Sequence, residues 1–525
     1  MIFSTTVSIN RRFIQQLKQK LSHTMSWLVP PLMVIFAANV HAAGIDQNIN
    51  EFVQPLTDTV ANFIFYKAEI FGTQMPLIVL WLLIAAIFFT FYFGFLNIRG
   101  FGHALRLTRG EYDNPDHDGE VSHFQALTTA VSGTVGIGNI GGVAIVITIG
   151  GPGAVFWLLV AGFLGMSTKF VECYAGVRYR QLHPDGSVSG GPMYYLEAAF
   201  HLHKLSFLAK PMGMFYAIAI VIGCLGIGNM FQSNQAFQQL LFATGGETSW
   251  FVDKGWLFGL VIASAVGLII IGGIQSIAKV TSKLVPFMAV TYLIAAVVII
   301  ALNADKLPWA ISAIFTEAFN PQATAGGVLG VMILGVQRAV FSNEAGIGSA
   351  PIAHSAVRTE EPATEGYVSL LEPFIDTIVI CTLTALVILT TVYQPGMESE
   401  GVQGIELTAQ AFKETISWST IPLSFIAMLF AFSTMISWSY YGMKGWTYIF
   451  GESKIVEAIF KLIFCCFVAL GCTIELNAVL DFSDAMVFIV ALPNILGLYM
   501  LAPTIKRELK VYQQTLKSGE ITPND

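Results

Sequence analysis

Long apolar runs, separated by short polar stretches, divide the chain into eleven segments near residues 76–97, 124–149, 152–176, 212–242, 255–275, 284–302, 324–350, 367–393, 418–441, 455–475 and 482–503. Each is close to the roughly 20 residues a helix needs to cross a bilayer. The runs are continuous rather than alternating, which predicts spanning helices and not a β-barrel. Two of them are interrupted. Residues 131–140, VSGTVGIGNI, set Gly133, Gly136 and Gly138 among Ser132, Thr134 and Asn139. Residues 341–351, FSNEAGIGSAP, set Ser342, Asn343 and Glu344 beside Gly346, Gly348 and Pro351. Glycine removes side-chain packing and permits φ > 0, so both segments are expected to unwind inside the membrane. Open backbone at that depth is tolerated only where it is buried in protein or lines a cavity.

The interrupted spans are the second and the seventh, so they open two five-helix units, 124–302 and 324–503, preceded by one extra span at 76–97. An odd number of spans per unit inverts the second unit relative to the first. Paired Gly/Pro-interrupted spans in inverted repeats point to a binding site near the midplane. Half-helix N-termini there offer N–H groups and positive dipole ends to a carboxylate. Unwound carbonyls can hold a cation. The competing account is that the glycines only allow close helix packing.

Residues 1–24 carry Arg11, Arg12, Lys18 and Lys20, and an apolar run at 27–40 ends in VHAAG. This pattern predicts a signal peptide over 1–43, cleaved near Ala42 or Ala43, with an uncleaved anchor helix as the alternative. Residues 44–75 then form a periplasmic N-terminal segment and 504–525 a cytoplasmic tail. Charge bears on the same topology. Loops on one side of the spans hold sixteen Lys and Arg, the opposite loops four. The excess puts the first set and the C-terminus in the cytoplasm, and the mature N-terminus outside. Three loops, 190–203, 307–319 and 403–416, are amphipathic and are expected to lie as surface helices, the first inside and the others outside, with gates over a central site as the alternative.

Composition agrees with a multi-pass membrane protein. The chain is 54% hydrophobic and 12% charged, where soluble domains average about 25% charged residues, and its mean hydropathy is +0.66. The six cysteines fall in apolar segments without metal-ligand spacing and read as packing residues. GIGNIG at 136–141 matches the dinucleotide fingerprint G-x-G-x-x-G, but it sits inside a span rather than after a strand. There is no Walker loop, no H-E-x-x-H and no zinc pattern, which argues against an enzyme and leaves an ion gradient to drive transport.

Further polar residues lie within the spans. Residues 225–229, LGIGN, are followed by Gln232, Ser233, Asn234 and Gln235 in span four; buried amides need partners, either a small ligand or a neighbouring helix. Ser433, Thr434 and Ser437 lie on neighbouring faces of span nine. Their hydroxyls either bond their own helix or, beside unwound carbonyls, supply hard oxygens for Na⁺. Arg338 and Glu344 flank the second break and could pair. Lys169 and Glu172 are placed near the cytoplasmic end of span three, where they could snorkel; Glu372 and Asp376 start span eight, also near the cytoplasm, and could belong to an inner gate or simply reach water.

GTVGIGNIGGVA at 133–144, GGPGAVFWLLVAGFLGMSTKFVE at 150–172, GNMFQSNQ at 228–235, KVTSKLVPFMAV at 279–290, FSNEAGIGSAPIAHSA at 341–356 and SWSYYGMKGW at 437–446 together resemble the alanine or glycine:cation symporter family. The resemblance runs from about residue 70 to 510. It implies an all-α integral membrane protein with a LeuT-type 5+5 inverted repeat in spans two to eleven. It implies cotransport of alanine or glycine with Na⁺ across the bacterial inner membrane, with no cofactor beyond that coupling ion and no nucleic acid. By motif, the substrate carboxylate should meet N–H groups around Ile137 and Gly138, with Thr134, Asn229, Phe341 and Trp438 lining a small pocket. The Ser132 and Val135 carbonyls, with Ser433, Thr434 or Ser437 hydroxyls, would form the sodium site. The alternatives are a proton-coupled or other small amino-acid transporter of this fold, or an amino-acid sensor or channel.

Overall fold

The computed structural model describes residues 42–70, 73–320, 327–394, 404–473 and 477–523. The signal peptide expected over 1–43 falls almost wholly outside them. The segment expected to be a short mixed stretch contains a 23-residue helix, α1 (Ala42–Ile64), and an antiparallel hairpin of β1 (Lys67–Ile70) and β2 (Thr73–Pro76). The extra span is α2 (Leu77–Tyr92). Two short helices, α3 (Leu96–Arg99) and α4 (Phe101–Thr108), lead to the first interrupted span.

That span is α5 (His123–Thr134), a break, a π-helical turn at Gly138–Gly142, and α6 (Val143–Gly150), with its two halves bent by 53°. Ser122 starts α5 through a capping box: its hydroxyl accepts from Gln125 N and the Gln125 side chain accepts from Ser122 N. Next come α7 (Gly153–Arg178), a small hairpin of β3 (Gln181–Leu182) and β4 (Val188–Ser189), and α8 (Pro192–Leu202). The fourth span is long because it is compound: α9 (Ser206–Leu225), a π-helical turn Gly226–Met230 and α10 (Phe231–Ala243). The helices α11 (Gly255–Ile270) and α12 (Gly273–Leu302) complete the first predicted unit, and α13 (Leu307–Glu317) follows.

The second interrupted span is α14 (Gly327–Asn343), a break, and α15 (Ala350–His354). The chain continues through α16 (Pro362–Ser369), a turn Leu371–Pro373, a π-helical run Phe374–Cys381 and α17 (Thr382–Thr390). It ends with α18 (Ile405–Thr415), α19 (Thr420–Phe450), α20 (Lys454–Gly471), α21 (Asn477–Ile489) and α22 (Ala491–Ser518).

Among the described residues six helical stretches are long and apolar enough to cross a membrane, seven if the bent pair is one span, and α2, α11 and α14 are shorter apolar helices. Their packing differs by place. In the apolar window of α12 only 28% of residues are buried, against 72% in the span Asp481–Ser518. Phe287, Val290 and Ile294 of α12 are exposed, which suits a helix on the lipid side. By contrast α5, α7 and α19 carry their polar residues inward: Ser132, Lys169, Glu172, Ser433 and Thr434 are all buried. A helical bundle with a polar centre follows, because helices satisfy their own backbone in lipid and only protein or water can satisfy the side chains.

Candidate functional site

The two breaks meet at the polar centre. In the first, α5 stops at Thr134 because Val135 leaves helical geometry at ψ 95°. Gly136 N then donates to Asn139 Oδ1 at 2.8 Å, so the Asn139 side chain replaces a missing helical acceptor. In the second, Glu344 adopts φ 57° and Gly346 φ 95°. The left-handed conformation costs a non-glycine residue about 1–2 kcal/mol. Its carboxylate is held by Ser349 Oγ. Open backbone at this break is satisfied from neighbouring helices: Asn494 Nδ2 donates to Gly346 O at 2.9 Å and Tyr216 Oη to Ile347 O at 3.1 Å.

One buried carboxylate ties the breaks together. Asp376, in the π-helical run, accepts from Asn139 Nδ2 at 2.5 Å, from Ser342 Oγ at 2.7 Å and from Thr377 Oγ1 at 2.8 Å. Asn139 also donates to Ser342 Oγ at 2.9 Å. Asp376 is 0% exposed. The expectation that it could reach water at the end of its span is therefore corrected. Asn139 and Ser342 are polar residues of the two breaks, and Thr377 is a partner that the sequence did not point to.

The helix α19 closes the other side of the first break. Ser132 Oγ donates to Ser433 O at 2.6 Å, Thr434 Oγ1 donates to Ser132 O at 3.1 Å, and Trp438 Nε1 donates to Gly133 O at 3.2 Å. Ser433 Oγ is turned to its own helix, at 2.9 Å from Phe430 O. Thr134 Oγ1 likewise bonds its own helix, at 3.3 Å from Val131 O. Ile137 is buried, whereas Gly138 is half-buried with open space where a side chain would stand. Ser132, Ser433, Thr434 and Trp438 are thus brought together around the end of α5, with Val135 and Ser437 within one turn of them.

Two further expected pocket residues make contacts of their own. Asn229 lies in the π-helical turn of the fourth span, and its amide donates to Phe464 O of α20 at 2.8 Å. Phe341 stacks on Phe488 at 6.2 Å and borders a cavity of about 330 Å³ beneath α1, which Arg338, Asp58, Asp481 and Asp484 also line. Arg338 lies 5.9 Å from the Phe341 ring, while Glu344 is bound to Ser349, so the pairing considered between Arg338 and Glu344 is not formed.

Three buried oxygens near the centre lack a hydrogen-bond partner among the described residues: Ser437 Oγ, Asn229 Oδ1 and Gln232 Oε1. Gln232 Oε1 points towards Gly136, 3.7 Å from where a Cβ would be. Buried polar atoms are nearly always paired, so these acceptors fit a cation or an ammonium group. Further inward, Lys169, Glu172 and Glu372 are each 0% exposed, and Lys169 Nζ lies 3.3 Å from Glu372 Oε2. They neither snorkel nor reach water.

Comparison with known proteins agrees with this architecture. The model of the sodium:alanine symporter family matches residues 57–524. The sodium/alanine symporter AgcS of Methanococcus maripaludis is 37% identical over 446 residues, covering 84% of this chain and 95% of that protein. A Bacillus subtilis relative named "Probable sodium/glutamine symporter GlnT" is 32% identical, covering 85% of this chain and 89% of its own length. Among solved structures, MhsT in complex with L-phenylalanine superposes with a TM-score of 0.52 at 16% identity, over 75% of this chain and 99% of that one. That likeness establishes the LeuT fold and nothing finer.

Proposed function

The chain belongs to the sodium:alanine symporter family, and from that premise we propose that it imports alanine or glycine with Na⁺ by alternating access across the bacterial inner membrane. Its relatives are named as transporters and symporters rather than enzymes. The observation that carries the finer reading is the meeting of the two breaks, where Asn139 and Ser342 share Asp376 while Ser437, Asn229 and Gln232 keep unpaired acceptors.

In this reading the eleven spans form one extra helix and two inverted five-helix units. The amino-acid carboxylate meets N–H groups at Ile137 and Gly138, beside open space. Trp438, fixed on Gly133 O, limits the size of the side chain that fits. Na⁺ sits among the Ser132 and Val135 carbonyls and the Thr434 and Ser437 hydroxyls, which are hard neutral oxygens. The buried carboxyl oxygens of Asp376 favour positive cargo at the junction. One Na⁺ moving inward releases roughly 2.3 kcal/mol per 100 mV, besides its concentration term.

The test is labelled L-alanine uptake into proteoliposomes of the purified chain, with an inward Na⁺ gradient against equal K⁺. Concentrative uptake with Na⁺ alone is expected, with competition by glycine. Thr434→Val and Ser437→Ala should each raise the Na⁺ needed for half-maximal uptake about tenfold, the effect of losing about 1.4 kcal/mol of cation binding. An unchanged Na⁺ requirement in both variants would place the ion elsewhere.

A further inference from the structure

Two residues that the sequence singled out, Arg338 and Phe341, have no part in the transport site described above. Both border the cavity of about 330 Å³ beneath α1. Three helices build that cavity, and each brings to it a charged residue and a phenylalanine. The helix α1 and the residue after it bring Asp58 and Phe65, α14 brings Arg338 and Phe341, and α21 brings Asp484 and Phe488, with Asp481 one turn earlier. Spacings of seven, three and four residues set each pair on one face of its helix.

The apolar end of the cavity is closed. Phe488 lies 5.4 Å from Phe65, edge to face, and 6.2 Å from Phe341, so rings from three helices form one surface. The charged end is not. Gln54 Nε2 donates to Asp58 Oδ1 at 2.8 Å, and the Arg338 guanidinium stands 5.9 Å from the Phe341 ring. Yet among the described residues Arg338, Asp481 and Asp484 have neither a hydrogen bond nor an ion pair. A guanidinium and three carboxylates thus line one cavity without meeting. Arg338 and Asp484 are half-buried, and charges withdrawn from water are ordinarily paired.

We infer that this cavity is a second binding site, separate from the central one, for an α-amino acid whose apolar side chain is larger than that of alanine. Its carboxylate takes Arg338, whose planar fork matches two carboxylate oxygens. Its ammonium takes Asp484 and Asp481, with Asp58 completing the acidic wall. Its side chain lies on the three phenylalanine rings. A bare cation would leave Arg338 without a partner, and a bare anion would meet three carboxylates for one guanidinium. A zwitterion answers both signs together. The volume falls within the roughly 300–1,000 Å³ of small-molecule sites. The Lys/Arg distribution puts the starts of α14 and α21 on the outer face, so the ligand arrives from outside. Because α14 ends at Asn343, just beyond Phe341, an occupant ties α1 and α21 to the helix that runs into the second break.

The experiment measures binding of labelled L-leucine to the purified full chain by equilibrium dialysis, with melting temperatures followed in parallel. The wild type should bind leucine saturably, and a ligand held only by the folded state should raise its melting temperature. Arg338→Gln and Asp484→Asn should each weaken binding about tenfold or more, as loss of a charge-assisted hydrogen bond predicts. A cooperative melt without ligand shows that each variant is folded. Two analogues separate the charges: isoamylamine lacks the carboxylate and isocaproate lacks the ammonium, and both should bind about tenfold more weakly than leucine. Trp438→Ala, in the central site, should bind leucine as the wild type does. Absence of leucine binding to the wild type would overturn the site. Isoamylamine binding as tightly as leucine would reduce it to a cation site and overturn it too, and so would binding lost in Trp438→Ala but kept in folded Arg338→Gln. None of these readouts requires alanine to be the cargo, so the transport reading and the second site stand or fall separately.

Discussion

Gly228 decides how closely the fourth span can approach Trp438. A Cβ there would stand 2.4 Å from the indole Cγ, a distance only displacement of the ring can relieve. The ring is held by its bond to Gly133 O, one residue beyond the proposed sodium ligand Ser132. Overpacking of this kind costs about 1–3 kcal/mol. Gly228→Ala is therefore expected to lower the melting temperature modestly and to reduce alanine uptake far more than that loss explains. Uptake at the wild-type rate in the variant would show that the indole position is not critical. The same scale shows what a sequence conceals. The glycine, Ser and Asn content of both breaks was legible because it departs so sharply from the surrounding apolar run. Lys169 and Glu372 were not legible as a buried pair, because their partners stand 203 residues apart and only tertiary packing brings them to 3.3 Å. Position near the end of an apolar run suggested water, and the neighbouring helices exclude it. Asn139 was visible as an oxygen in the first break, but its link to Asp376 depends on a π-helical run that no local pattern announces.

At the scale of elements, two of the three amphipathic loops prove to be more than surface strips. In the proposed inverted repeat, α8 follows the second helix of the first unit and α18 follows the second helix of the second unit. Each touches the break of the other unit. Pro192, which opens α8, packs on Gly348, where a Cβ would stand 2.5 Å from its ring. Thr408 of α18 donates to Ile140 O, in the π-helical turn after the first break, at 3.0 Å. Amphipathicity made both helices legible; their docking was not, since it rests on one backbone carbonyl and one glycine in distant segments. The Thr408 bond is a device for holding α18 over the first break. Replacing it with Val keeps the shape and leaves Ile140 O without its donor, at a cost of about 1–3 kcal/mol. Thr408→Val should weaken closure over the bound amino acid, so alanine should dissociate several-fold faster from the Na⁺-loaded protein. Unaltered dissociation would leave α18 as packing alone.

For the whole molecule, the question is what keeps one face shut while the other opens. On the face assigned to the cytoplasm, Arg180 after α7 donates to Asp118 O at 2.9 Å, Ser355 O at 2.8 Å, Val357 O at 2.5 Å and Thr359 O at 2.7 Å. A parallel bridge between Val121 and Val357 runs beside it. One guanidinium therefore ties the loop before the first interrupted span to the loop after the second. These loops must separate if the centre is to open on that side. Lysine keeps the charge, but its compact ammonium has three donors and no fork, so it cannot span four carbonyls. A lost hydrogen bond to a charged donor costs about 1.5–3 kcal/mol, and it is lost only from the closed face, because the opened loops would meet water. Arg180→Lys should thus shift the population towards the state open on this face. External Na⁺ binds the other state, and its apparent dissociation constant rises as that state's fraction falls. The Na⁺ needed for half-maximal uptake should increase between a few-fold and about tenfold, 1.4 kcal/mol corresponding to a factor of ten. Substrate exchange at saturating Na⁺ on both sides should change much less, since the cargo site itself is untouched. A folded Arg180→Lys protein with the wild-type Na⁺ requirement would mean that closure of this face depends on other contacts, of which the bond from Tyr174 Oη to Glu508 at 3.0 Å, joining α7 to α22, is the next to remove.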